Sequence, residues 1–140
     1  MVEIRRREGK YCLELSIGII YIEVKFIGKD VLLSVWGGDE PHIGGVILSL
    51  PRPSLYNDGT TSSTSSVLNV MGHKDEVILR QLSERCAAAW DTAVVCAGGF
   101  HVDGITKEQI NEVYDAVLEI KFVYSESVVN GCRLPCLHEQ

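Results

Sequence analysis

The chain has 140 residues, enough for one globular domain with a hydrophobic core, because domains cluster near about 100–150 residues. Its apolar fraction of 46% and charged fraction of 23% exclude a disordered chain, a collagen-like repeat and a disulfide-stapled mini-protein. The net charge of −6 argues against a broad nucleic-acid surface, since binding phosphates requires clustered positive charge.

Two absences bear on the cellular compartment. The N-terminal residues lack the order of basic, apolar and small residues found in a secretory signal, and no stretch approaches the roughly 18 apolar residues of a membrane span. We therefore expect a cytoplasmic protein with no membrane partner. Cys12, Cys86 and Cys96 lie in apolar segments and are expected to be buried thiols, whereas Cys132 and Cys136 lie near the C-terminus.

The first half of the chain has the pattern of β-strands. Alternating or β-branched apolar residues predict strands over residues 11–16, 17–27, 31–36 and 43–50, which we expect to pair antiparallel. Residues 2–7 would add a fifth strand if they pair with these.

A polar segment interrupts this pattern at residues 51–66. It contains Pro, Asn, Asp and Gly, and then a run of Ser and Thr. Such residues bury too little apolar area to offset the entropy cost of ordering them. We expect a flexible loop here.

Two strands and two helices follow. The pattern predicts strands at 66–71 and 92–97 and helices at 74–90 and 107–120. Thr106 and Gln109 form a capping-box sequence at the start of the second helix. These elements predict an α/β (α+β) fold: a single domain over residues 1–124, with a mainly antiparallel sheet and two helices packed on one face. Residues 125–140 are expected to form an irregular tail.

Three segments share one local pattern, in which a predicted strand ends at glycine and a histidine follows with an aspartate nearby. Glycine allows backbone amides to approach a ligand, and the N-terminus of a helix attracts anions. If the three segments meet, they form a glycine-lined pocket. The candidate binding residues are Gly37, Gly38, His42, Gly44, Gly72, His73, Gly98, Gly99, His101 and Asp103.

Several interpretations of this pattern remain open. The three histidines could bind zinc and serve a small metal-dependent hydrolase or lyase, although their spacing lacks a short ligand motif. They could instead line a site for a phosphate-bearing ligand, or be purely structural. A Cys96 nucleophile is disfavoured because its strand is apolar. A metal clip formed by Cys132, Cys136 and His138 lacks a fourth ligand nearby.

The ordered set of these motifs resembles the prenylated-flavin chaperone family. The resemblance is carried by residues 37–45, 72–75 and 98–106 and extends over residues 11–120. Members include the small D subunit that accompanies gallate-type and other hydroxyarylic acid decarboxylases. The resemblance implies a fold similar to proteasome assembly chaperones, and a non-catalytic, dimeric accessory protein. It also implies prenylated FMN, or FMN, as the cofactor and the large subunit of a UbiD-type decarboxylase as the partner. A ligand-free scaffold or assembly subunit is the remaining alternative.

Overall fold

A computed structural model describes residues 2–70 and 75–124 of the chain. Its elements are β1 (Glu3–Arg5), β2 (Gly9–Leu15), β3 (Gly18–Ile27), β4 (Asp30–Gly38), β5 (Gly45–Pro53), β6 (Thr61–Asn69), α1 (Glu76–Trp90), β7 (Val94–His101), α2 (Lys107–Leu118) and β8 (Lys121–Val123). Neither of these two helices has the length and apolar character needed to cross a membrane.

Six strands form one sheet in the order β2-β3-β4-β7-β5-β6. Four of the five neighbouring pairs are antiparallel, and β4 pairs with β7 in parallel. The predicted fold class, a mainly antiparallel sheet with two helices, is confirmed. One detail differs from the expectation of consecutive pairing, because β7 inserts between β4 and β5.

The hydrophobic core lies between one face of this sheet and the two helices. Alternate residues of the central strands are buried, as the period of two in a β-strand requires, and they pack against apolar residues of α1 and α2. Cys86 and Cys96 belong to this core, and Cys12 is half-buried. The opposite sheet face carries half-buried or exposed side chains, including the stacked pair Tyr21 and Trp36.

The segment predicted as a loop is mostly β-strand, which corrects the extent of that loop. β5 continues to Pro53 and β6 begins at Thr61, so that residues 54–60 connect the two strands. The Ser and Thr side chains are stabilised by hydrogen bonds instead of apolar burial. Ser63 donates to the backbone carbonyl of Glu84 on α1, and Ser65 donates to the Glu84 carboxylate, at 3.0 and 2.9 Å.

The N-terminal segment does not extend the antiparallel sheet. β1 pairs in parallel with β8 to form a separate two-stranded sheet, with Ile4 opposite Phe122. Ile4 and Ile120 are fully buried, and this burial holds the short pair against the domain. The predicted tail at 125–140 lies outside the described residues.

Candidate functional site

Two of the three glycine-histidine segments meet at one edge of the sheet, where the central strands β4 and β7 end. The parallel register places Gly37 opposite Phe100 and Gly38 opposite His101, at the ends of β4 and β7. At the start of β5, Gly45 lies opposite Gly98. The third segment, with Gly72 and His73, lies outside the described residues. The sequence pattern therefore identified strand ends that are neighbours in the folded chain.

The glycines at this edge are packed against the protein's own atoms. Gly98 has φ +140°, and a Cβ there would overlap the carbonyl oxygen of Val35. A Cβ on Gly44 would overlap the carboxylate of Asp75, and one on Gly99 would lie 2.8 Å from the same carboxylate. Close backbone and side-chain packing is thus the observed role of these positions. Ligand contact by Gly37, Gly38, Gly44, Gly98 and Gly99 stays a prediction.

A carboxylate-imidazole pair occupies the space that these glycines leave. Asp75, only 6% exposed, directly precedes α1. Its Oδ2 lies 3.2 Å from Nε2 of His42, and its Oδ1 accepts a hydrogen bond from the backbone N–H of Phe100 at 3.3 Å. The Asp75 carboxylate therefore connects the start of α1 to His42, which precedes β5, and to Phe100, near the end of β7.

The ring of His42 is held from both of its nitrogens. Nδ1 lies 2.9 Å from the carbonyl oxygen of Glu40, and Nε2 lies against the carboxylate of Asp75. These two contacts fix the orientation of the imidazole beside the glycines.

A second imidazole lies at the surface of the same edge. Nε2 of His101 lies 2.8 Å from Oδ1 of Asp103, and this hydrogen bond is the main reason that the pKa of His101 is raised. The nearby carboxylates of Asp103, Glu40 and Asp39 raise it further. Asp39 also accepts a hydrogen bond from the backbone of Asp103 at 3.2 Å. The rim of the site is therefore acidic, with a readily protonated histidine.

The described histidines do not assemble a metal centre. The rings of His42 and His101 lie 6.5 Å apart in an edge-on arrangement. Within residues 2–70 and 75–124, no group of three His, Cys, Asp or Glu side chains is placed to hold a metal ion. Burial raises the pKa of the Cys96 thiol, which opposes formation of a nucleophilic thiolate. The possible clip at Cys132, Cys136 and His138 lies outside the described residues.

An apolar cavity opens beside this edge, between the starts of the two helices. Its volume is about 530 Å³, within the usual range for small-molecule sites. Polar groups come from Asp75, His101, Asn111 and Tyr114. The apolar walls are Val77, Ile78, Phe100, Val102, Ile105 and Ile110.

The sequence pattern predicted residues at the rim of this cavity but not most of the residues that form its walls. His101 was predicted, and it lines the cavity. Asp75 is the aspartate of the second glycine-histidine segment, but the pattern does not predict its contact with His42, because that contact joins segments 33 residues apart. Ile110 and Tyr114 belong to the apolar stripe of α2, whose period indicates burial but not which part of the stripe borders a cavity.

Comparison with known proteins adds three findings. A family described as "Prenylated flavin chaperone LpdD-like domain" matches residues 18–123. Protein LpdD from Lactiplantibacillus plantarum is 32% identical over 89 residues, an alignment that spans 62% of this chain and 60% of that relative. A solved structure, "Crystal Structure of a Novel Chaperone Complex for Yeast 20S Proteasome Assembly", aligns with a TM-score of 0.40 at 11% identity, covering 79% of this chain and 98% of that one.

Proposed function

The chain belongs to the family of prenylated flavin chaperones with an LpdD-like domain, and we propose that it binds prenylated FMN and supports a non-oxidative hydroxyarylic acid decarboxylase. The observation that carries this proposal is the family match. It spans residues 18–123 and thus includes every described residue of the cavity and its rim. The proposed partner is the large subunit of a UbiD-type decarboxylase in the cytoplasm.

The cavity has the chemistry that a flavin ring requires. Flavins combine a flat, mainly apolar ring system with polar edge atoms, and the prenyl group adds further apolar surface. Apolar walls with a few convergent polar groups are typical of cofactor sites, and Asn111 and Tyr114 supply such groups from α2. FMN without the prenyl group is a weaker candidate by the same reasoning, because it has less apolar surface to bury.

Co-expression with a prenyl-flavin synthase tests this function. The protein purified from those cells should carry a flavin chromophore, and mass spectrometry should identify the prenylated form. The purified protein should then raise the activity of a cofactor-free decarboxylase when the two are mixed. A colourless protein without flavin from the same cells would contradict the proposal.

The open face of the sheet supports a dimer. Leu48 on β5 and Leu68 on β6 are 40% and 73% exposed, and the stacked Tyr21 and Trp36 lie on the same face, on β3 and β4. Exposed apolar surface on one face is a feature of interaction sites. The exposed side of β3 also carries Glu23 and Lys25, so a two-fold arrangement can bring opposite charges together. We therefore propose a homodimer through this face.

The same face also favours a second function, a ligand-free assembly subunit. Such a subunit would bind its partner through the sheet and carry no cofactor. Co-purification of a decarboxylase with no flavin in either protein, from cells that make prenylated FMN, would support this alternative over the proposed one.

A further inference from the structure

The charges around the cavity are unfavourable for a phosphate group. Asp39, Glu40 and Asp103 surround His101 at the rim, and Asp75 lines the cavity itself. No lysine or arginine is among the described residues that line the cavity. Among residues 2–70 and 75–124, the groups that a phosphate would meet at this rim are these carboxylates and the surface imidazole of His101.

At both helix N-termini, the described side chains take up part of the capacity to bind an anion. In α2, Thr106 Oγ1 accepts from the Gln109 backbone at 3.2 Å, and the Gln109 side chain accepts from the Thr106 backbone at 2.9 Å. This capping box occupies the N–H groups of Thr106 and Gln109, two of the groups at this helix start that could otherwise bind an anion. At α1, Asp75 and Glu76 place negative charge at the positive end of the helix dipole.

The walls of the cavity instead match an uncharged ring. Ile78 and Phe100 contribute apolar surface from α1 and β7, and Ile78 is 6% exposed. Val77 on α1 and Ile110 on α2 also line the cavity and remain 42% and 45% exposed, so a ring bound against them would bury them further. Burying such apolar surface favours binding by roughly 25 cal/mol per Å².

We propose that the cavity binds the uncharged ring end of its ligand and leaves the phosphate outside, in solvent. This inference rests on the proposed function, in which the ligand is prenylated FMN. In this orientation the ring and the prenyl group contribute the affinity, and the phosphate contributes almost nothing to it. The site would thus hold the cofactor by its ring, whereas helix N-termini commonly bind the phosphate.

Titration of three flavins tests the orientation. Affinities for prenylated FMN, FMN and riboflavin are measured by fluorescence or calorimetry with the full chain. We expect riboflavin, which lacks the phosphate, to bind within about threefold of FMN, and prenylated FMN to bind at least tenfold more tightly than either, a difference of about 1.4 kcal/mol. A loss of tenfold or more on removing the phosphate would overturn the orientation alone. Absence of binding by all three flavins would instead overturn the proposed function, and the orientation with it.

Matched variants on α2 locate the ring. Ile110→Glu places a charge on the cavity wall and should weaken FMN and riboflavin binding equally, by tenfold or more. Leu118→Glu, on the same helix and 40% exposed, is the control because Leu118 does not line the cavity, and it should leave both affinities unchanged. Thermal unfolding of both variants checks that they fold. Equal affinities in the Ile110 variant and the control would show that the ring does not bind in this cavity.

A third variant tests the alternative place for the phosphate. Lys107 is exposed in the first turn of α2 and is the cation closest in sequence to its N-terminus. Lys107→Ala should change neither affinity. If this variant lost FMN binding and kept riboflavin binding, the phosphate would lie at the start of α2, and the proposed orientation would be wrong.

Discussion

Single side chains decide the electrostatics of the site, and His101 gives the most direct measurement. The hydrogen bond to Asp103 raises its pKa, so the protonated ring persists to higher pH than in an isolated histidine. This interaction favours the folded state at low pH and is lost as the pH rises through the folded pKa. Because both side chains are largely exposed, at 45% and 83%, the pKa itself is the quantity to follow.

Removing the carboxylate charge should lower the pKa of His101. Asp103→Asn keeps the size of the side chain but replaces an anion with a neutral amide, so the protonated imidazole keeps an acceptor and loses the opposite charge. The expected shift is toward the ordinary value for histidine, and NMR titration of the ring measures it. The same titration of Asp115→Asn, on the far part of α2, serves as a control. An unchanged pKa in Asp103→Asn would show that Asp39 and Glu40 control this residue.

The buried Asp75 predicts a contrast between two substitutions. Asp75→Ala removes the acceptor of the Phe100 N–H and the partner of His42, and should lower the free energy of unfolding by about 1–3 kcal/mol. Asp75→Asn retains an acceptor for Phe100, and its amide can donate to a neutral His42, so its cost should stay below about 1 kcal/mol. Denaturant unfolding measures both. An equal cost for the two variants would show that the negative charge, rather than the hydrogen bonds, is what matters.

At the level of elements, one arginine connects the two helices. Arg85 on α1 donates to the carbonyl of Val117 at 2.8 Å and also to the carbonyl of Ile120. These carbonyls lie at the C-terminal end of α2, where a positive charge complements the helix dipole. The guanidinium therefore holds the end of α2, and the start of β8 that follows it, against α1.

Replacing Arg85 should destabilise the domain more than replacing a surface arginine on the same helix. Arg85→Met retains an apolar stem and loses the charged donor, and we expect a cost of about 1–3 kcal/mol in unfolding free energy. Arg80→Met is the matched control, since Arg80 is 43% exposed and forms i,i+4 ion pairs with Glu76 and Glu84 on its own helix. Its cost should be at most about 1 kcal/mol. Denaturant unfolding compares the two, and similar costs would mean that the Arg85 contacts contribute little.

The elements also show how far the sequence could be interpreted. β2 to β5, β7 and both helices have local apolar patterns and were predicted within a few residues. In α2, Val113 and Val117 are buried as the period requires, whereas Ile110 and Leu118 remain 45% and 40% exposed. β6 was missed over residues 61–65 because Ser63 and Ser65 stabilise it through hydrogen bonds to Glu84, which leave no apolar pattern. The parallel pairing of β1 with β8 joins three-residue segments at opposite ends of the fold, and no local signal indicates it.

In the candidate site, too, local features were predictable and contacts between distant segments were not. The motif pattern correctly pointed to the meeting of the β4 and β7 ends, because glycine and histidine at strand ends are local features. The role of Asp75 and the composition of the cavity walls depend on which segments meet in the fold. The sequence of a single segment does not indicate this. A purely apolar stripe on α2 looks the same whether it borders a core or a cavity.

At the scale of the whole molecule, the two tryptophans report on different regions. Trp90 is 2% exposed and packs against Phe26 and Phe122, whereas Trp36 lies on the open sheet face against Tyr21. The chain contains only these two tryptophans, so replacing one isolates the fluorescence of the other. This separation allows the proposed homodimer to be tested at its own interface.

Acrylamide quenching in Trp90→Phe should depend on protein concentration. If two copies associate through the open face, Trp36 becomes less accessible at high concentration, and the quenching constant should fall as the dimer forms. Trp36→Phe, which leaves Trp90 as the reporter, should show no such dependence. Light scattering gives the mass in parallel. A dimer by mass with constant Trp36 quenching would place the interface elsewhere, and a monomer at all concentrations would exclude it.

The position of β7 between β4 and β5 has a consequence for folding. β4 pairs with β3 and β5 pairs with β6, but β4 and β5 do not pair with each other, and the place between them is filled by β7, which comes later in the sequence. Such non-local pairing slows folding, because the loop must close before its contacts form. The cavity, lined from residues 75 to 114, forms only after this step. A ligand that binds there selects the completed fold, and it should stabilise the whole domain in proportion to the logarithm of its concentration above its Kd.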